Sequence, residues 1–243
     1  YEAMRYAYNL HPHFSVFWAA IALLGLFALL NLIGISESAG VALVLFAFHI
    51  LVLSLLVLAA GLIVVRNPAT LLAGWNTSSA YNFPLALFFG FSAAMLGISG
   101  FESSANFIEE QDNGVFPKTL RNMWVAIAVF NPVLSLLALG LVPVPDMASH
   151  KEDLLAQMGF MVGGPWFRSV VSVDAALVLS GAVLTSYVGV TGLVRRMTLD
   201  RCLPQFLSSQ NRRRGTNHWI ILLFFAVCSS ILVTTHGAVD ALA

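Results

Sequence analysis

Apolar residues in this chain come in long runs, not in the alternating pattern of strands or the one-faced stripe of surface helices. Runs near residues 14–33, 41–65, 117–141, 168–194 and 219–234 are each close to the roughly 20 residues that cross a hydrocarbon core as a helix. A sixth stretch, 83–111, begins the same way and then changes. Gly97 and Gly100 bracket a small polar step, and Glu102, Ser103, Ser104 and Asn106 follow at what is still membrane depth. A charge at the centre of a spanning helix costs roughly 3 kcal/mol on insertion scales, so a plain anchor has no use for this pattern. Two nearby glycines make unwinding easy. Unwound backbone is tolerated in a bilayer only beside protein or a wet cavity. The pattern therefore predicts a helix broken at its middle, with the break facing a binding site.

The links between runs are mostly short. Residues 34–40 form a tight connection, and 112–116 a turn around Gly114. Residues 66–82 read as a loop with the interfacial anchors Trp75 and Tyr81. Residues 143–167 read as a long loop in which 151–158 has the makings of a short amphipathic helix. Residues 195–217 are polar and arginine-rich, and 1–13 read as an external loop or the tail of a preceding helix. Asn131-Pro132 is expected to kink the fourth span, because proline removes a backbone donor. The chain opens on Tyr1 without a secretory pattern and is expected to be a piece of a longer protein.

Composition agrees with the runs. Hydrophobic residues are 58% of the 243 and charged residues 10%, against about 25% charged in soluble domains. This predicts an all-α integral membrane protein with about six spans, multi-pass, in a plasma or inner membrane, with the lipid bilayer as its first partner. The net charge of zero supports no nucleic-acid partner. Cys202 and Cys228 offer neither a disulfide framework nor metal-ligand spacing, so no metal or cofactor is expected. Gly-x-Ser-x-Gly, His-Glu-x-x-His and phosphate-loop patterns are absent, and no catalytic residue is expected.

Charge also suggests an orientation. With 34–40, 111–117 and 195–217 inside, the inner side carries Lys118, Arg121, Arg195, Arg196, Arg201, Arg212, Arg213 and Arg214. The outer side carries Arg5, Arg66, Lys151 and Arg168. Eight against four follows the positive-inside bias.

Four places hold candidate chemistry. The segment Leu96, Gly97, Ile98, Ser99 and Gly100 would present backbone carbonyls suited to an ammonium group, or would simply pack closely as small residues do. Glu102 reads as a protonatable or gating carboxylate, or as a structurally paired one. His49 lies near mid-depth of the second span and reads as a proton relay or as a satisfied core histidine. Asp174 sits about a turn and a half into the fifth span and reads as lining an outer vestibule, pairing with a cation, or capping. Ser180, Thr185, Ser186 and Thr191 on the same span suit ion holding or helix-to-helix hydrogen bonding. Glu109, Glu110 and Asp112 suit an inner gate or a solvated surface.

Three stretches resemble the amino acid–polyamine–organocation (APC) superfamily of transporters. Asn31-Leu-Ile-Gly34 with Ser36 is similar to the link between that family's fourth and fifth helices. Gly97-Ile-Ser-Gly-Phe-Glu102, with Glu109-Glu110 and Pro117, resembles its broken sixth helix and the loop beyond. Met197-Thr-Leu-Asp200-Arg-Cys-Leu-Pro204 resembles the loop after its eighth. The resemblance covers helices four to nine. It implies a partial LeuT-type inverted-repeat fold, alternating access, and secondary transport of an amino acid or related amine. It implies substrate binding at Leu96–Gly100 and makes His49 the better choice for proton coupling, with sodium as the other ion. Glu102 would influence the pH response. The family's glycine-rich first helix has no counterpart here, so this chain alone is not expected to transport. A transporter-like sensor is the rival reading.

Overall fold

A computed structural model describes residues 1–10, 15–34, 39–77, 82–96, 100–106, 112–211 and 215–235. Every regular element among them is helical. Helices α1 (Glu2–Tyr8), α2 (Val16–Ile33), α3 (Ala39–Arg66) and α4 (Ala69–Trp75) come first. Then come α5 (Phe83–Leu96), α6 (Phe101–Asn106), α7 (Val115–Leu141) and α8 (Val144–Met147). The series closes with α9 (Leu154–Leu199) and α10 (His218–Thr235). Among the described residues, α2, α3, α7, α9 and α10 are long and apolar enough to cross a membrane, and Phe83–Ser92 is a shorter apolar stretch. The apolar runs fold this way because a helix satisfies its own backbone groups, which lipid cannot do.

Helices occupy three regions where the sequence suggests a loop or the tail of a helix (1–13), a loop (66–82), and a loop with a short helix within it (143–167). Residues 1–13 hold the helix α1, and 66–82 hold the helix α4. Residues 143–167 hold α8 and the first limb of α9. That limb, 154–163, meets the long limb, 165–199, at Gly164, whose φ of 71° and ψ of −161° leave the helical region. Glycine adopts this conformation without strain, and Pro165 suits the first turn of the helix that follows. α7 runs through Pro132 as one helix.

Two apolar clusters hold the spans together. The larger joins α3 (Val52, Leu56, Ala60, Val64), α7 (Leu137, Ala138, Leu141) and α9 (Met158, Phe167, Val171). It fills the end of the molecule that carries Arg168. The smaller joins Ala28, Tyr187 and Ile221 of α2, α9 and α10. It lies toward the end that carries Asp200, where the Thr216 hydroxyl also donates to the Leu32 carbonyl at 3.1 Å.

A polar clasp closes the Arg168 end. The Asn9 amide donates to Asp153 at 3.1 Å, and Arg168 donates to the Asn9 side-chain oxygen at 2.8 Å. Arg168 and His150 also approach Asp153, at 3.5 and 3.2 Å, and Arg5 pairs with Glu152 at 3.4 Å. These contacts tie α1 to the start of α9. Arg5 and Arg168 thus share one end, as the charge count expects.

A candidate coupling and binding site

The stripes that build the larger cluster end in ionisable residues. On α3 the buried positions Val52, Leu56, Ala60 and Val64 recur every four residues, and His49 precedes Val52 by three. On α9, Phe167 and Val171 are four apart, and Asp174 follows by three. Spacings of three and four keep residues on one helix face. Each stripe therefore carries its polar residue into the α3–α9 contact. There His49 Nδ1 and Asp174 Oδ2 lie 2.8 Å apart. The Asp174 side chain is 3% exposed and that of His49 27%. With the carboxylate ionised, Nδ1 bears the hydrogen. Asp174 Oδ1 is buried and has no hydrogen-bond partner among the described residues.

His49 and Asp174, expected separately from the sequence, thus meet. The sequence suggests for Asp174 an outer vestibule, a pairing with a cation, or a cap. Its observed partner is a histidine 125 residues earlier in the chain.

The interrupted stretch is seen as two helices. Leu96 ends α5, and Gly100 precedes α6 with φ 98°, a left-handed value that favours glycine. A Cβ on Gly100 would come within 3.3 Å of Met123 Cε on α7. Gly97, Ile98 and Ser99 lie outside the described residues, as do Glu109 and Glu110. Glu102 falls in α6, its side chain outside the description. α6 packs against α7 and α9.

Between α3 and α7 lies a cavity of about 430 Å³, lined by Phe46, Thr119, Asn122, Met123, Ala126 and Ile127. Phe46 is three residues before His49, one turn nearer the Asp200 end. Met123 is the residue against Gly100.

Other polar groups prove to be local. Thr185, Ser186 and Thr191 each donate to the carbonyl four residues back in their own helix. Tyr187, which the sequence reading passed over, makes the contact between helices: its hydroxyl donates to the Leu24 carbonyl at 3.1 Å, and its ring meets Phe224 edge-on. A lone tyrosine inside an apolar run was the available signal, since a buried hydroxyl seeks a partner. Among the described residues no group of His, Cys, Asp and Glu side chains is arranged to hold a metal ion.

Long apolar helices, with an ionisable pair in contact between two of them, define an all-α integral membrane protein. The chain belongs to the family described as Amino acid permease, whose pattern matches residues 3–243. This is a family of transporters acting on small molecules across a lipid bilayer, and it agrees with the APC resemblance read from the sequence. No curated protein and no solved structure matches the chain.

Proposed function

We propose that this chain is the helix-four-to-nine portion of a secondary active transporter for amino acids or related amines. It works by alternating access in a LeuT-type arrangement, with proton-coupled symport or exchange. The observation that carries the coupling assignment is the His49–Asp174 contact of 2.8 Å between two spanning helices. Histidine is the side chain that changes charge in the physiological range. Beside a carboxylate it can take up a proton and form an ion pair, so loading the proton alters what holds α3 to α9. The free Oδ1 of Asp174 offers a further acceptor at the same depth. Leu96, Gly97, Ile98, Ser99 and Gly100 are the proposed substrate amine site, through backbone carbonyls, as the family resemblance implies. Glu102 is the proposed pH-responsive gate. Sodium in place of the proton is the other coupling choice.

The experiment is binding and vesicle uptake of radiolabelled amino acids, with and without a pH gradient, for this chain and for a longer protein that includes the upstream helices. The longer protein is expected to show gradient-driven uptake whose pH dependence flattens in His49→Ala. This chain alone is expected to bind without transporting. Saturable uptake by this chain refutes the portion reading. Binding without flux in the longer protein favours a sensor. Uptake that follows a sodium gradient and ignores pH removes the proton assignment.

A further inference from the structure

We infer that the turn after α9, together with the start of α10, is a docking surface for an anionic phospholipid headgroup, with Arg201 and Arg195 as its cations and Phe206 and Trp219 as its anchors. The turn is tightly built. α9 ends at Leu199, and Arg201 stands in the left-handed region with φ 61°. The Arg201 amide donates to the Thr198 carbonyl at 3.1 Å, and the Cys202 amide to the Met197 carbonyl at 2.9 Å. This pair of bonds is the helix-ending motif whose left-handed position is usually glycine. The Gln205 side chain donates to the same Thr198 carbonyl at 2.8 Å, so residues 201–205 are drawn back onto a buried threonine. Leu207 is buried, whereas Phe206 is exposed and sets its ring edge-on to that of Trp219, with 6.2 Å between centroids.

Among the described residues, Arg201 alone combines a side chain with a positive φ. Arginine is strained there and glycine is not, so backbone preference does not account for the residue. The dipole at the end of α9 favours a cation, but any position in the last turn would satisfy it. Arg195 and Arg201 are both exposed, and neither forms an ion pair with the described residues. Residues 195–211 contain three arginines and one acidic residue, Asp200. Arg212, Arg213 and Arg214 belong to the same connection and lie outside the described residues. Apolar neighbours set the level of this surface. Leu199 is exposed in the last turn of α9, one turn beyond Arg195, and Trp219 opens the apolar run of α10. Aromatic rings collect at headgroup level, and arginine reaches from there to the phosphates. An anionic phospholipid matches both parts: its phosphate suits a guanidinium, and its chains cover Leu199, Phe206 and Trp219. A zwitterionic lipid brings a cation of its own, and a soluble phosphate leaves the apolar part uncovered. The charge count expects this end inside, where anionic lipid is concentrated. Such binding is independent of the substrate and coupling assignments.

The test is binding of single lipids to the full chain in detergent micelles, read by native mass spectrometry. Phosphatidylglycerol and phosphatidylcholine with the same acyl chains are compared, and phosphatidylglycerol is expected to bind more tightly. Arg201→Gly removes the cation and relieves the positive φ. It is expected to lower the ratio of the two affinities by up to about fivefold, the worth of one arginine near an anionic surface. Its thermal unfolding midpoint is expected to hold or rise, so the two readouts move apart, which a purely structural arginine would not produce. If Arg201→Gly fails to fold as a monodisperse particle, Arg195→Gln reads the same ratio and is expected to lower it. Equal affinity for the two lipids in the parent chain overturns the inference, as does a ratio unmoved in the folded variant. Displacement of phosphatidylglycerol by glycerol 3-phosphate would assign the surface to soluble phosphates and overturns it as well.

Discussion

The two apolar clusters do different work. The α3–α7–α9 cluster at the Arg168 end is mostly aliphatic, with Phe167 its buried aromatic member, and Leu56, Ala60 and Met158 in it are wholly buried. The α2–α9–α10 cluster toward the Asp200 end has three buried members among the described residues, Ala28, Tyr187 and Ile221, with Phe27, Phe224 and Phe225 packed against them and a hydrogen bond from Tyr187 to Leu24. In a bilayer, helices gain little from hiding apolar surface, because lipid is as apolar as leucine; close packing and hydrogen bonds decide association. Within the first cluster the buried side chains are all apolar, whereas the second adds the Tyr187–Leu24 hydrogen bond to its packing. The His49–Asp174 pair borders the first cluster, and the cavity lined by Phe46 of α3 and residues of α7 lies beyond it. Ionisable chemistry thus sits where tight packing stops.

That contrast can be broken at several points. The largest effect is expected from His49→Ala, which leaves the Asp174 carboxylate buried and unpaired. Removing one partner of a buried pair costs about 3–5 kcal/mol. Reversible unfolding in detergent should show the loss, and His49→Ala with Asp174→Leu should recover most of it. If the double variant is as unstable as the single, the pair is not what holds that contact.

Next in size, Leu56→Ala should cost about 2–3 kcal/mol, because close packing leaves a void. Ile221→Ala in the smaller cluster should cost less, since its partly exposed neighbours can close the gap. Equal losses in the same unfolding assay would erase the distinction between the clusters.

Gly164→Ala should cost about 1–3 kcal/mol, because its positive φ is hard for a residue with a Cβ. Limited proteolysis of the 154–163 limb should quicken in parallel. The smallest effect is expected for Tyr187→Phe, about 1 kcal/mol for one hydrogen bond, with the ring contact to Phe224 retained. A loss matching that of Leu56→Ala would mean that the hydroxyl, more than shape, holds the Asp200 end.

The amino acid sequence by itself determined the class of the molecule and much of its local punctuation. Uninterrupted apolar runs need helices because lipid offers backbone groups no partners, and Gly100, left-handed before α6, is the kind of residue that interrupts one. The motifs around Gly97, Glu102 and Asp200 were enough to suggest the family. The tertiary structure decided who meets whom. His49 and Asp174 are 125 positions apart. Each continues a buried stripe, but which two stripes face each other depends on how α3 and α9 dock. The same holds for Tyr187 with Leu24, for Asn9 with Asp153, and for a cavity lined by two helices. Local pattern follows from neighbours along the chain, whereas a pair or a void exists only after distant helices have chosen their faces.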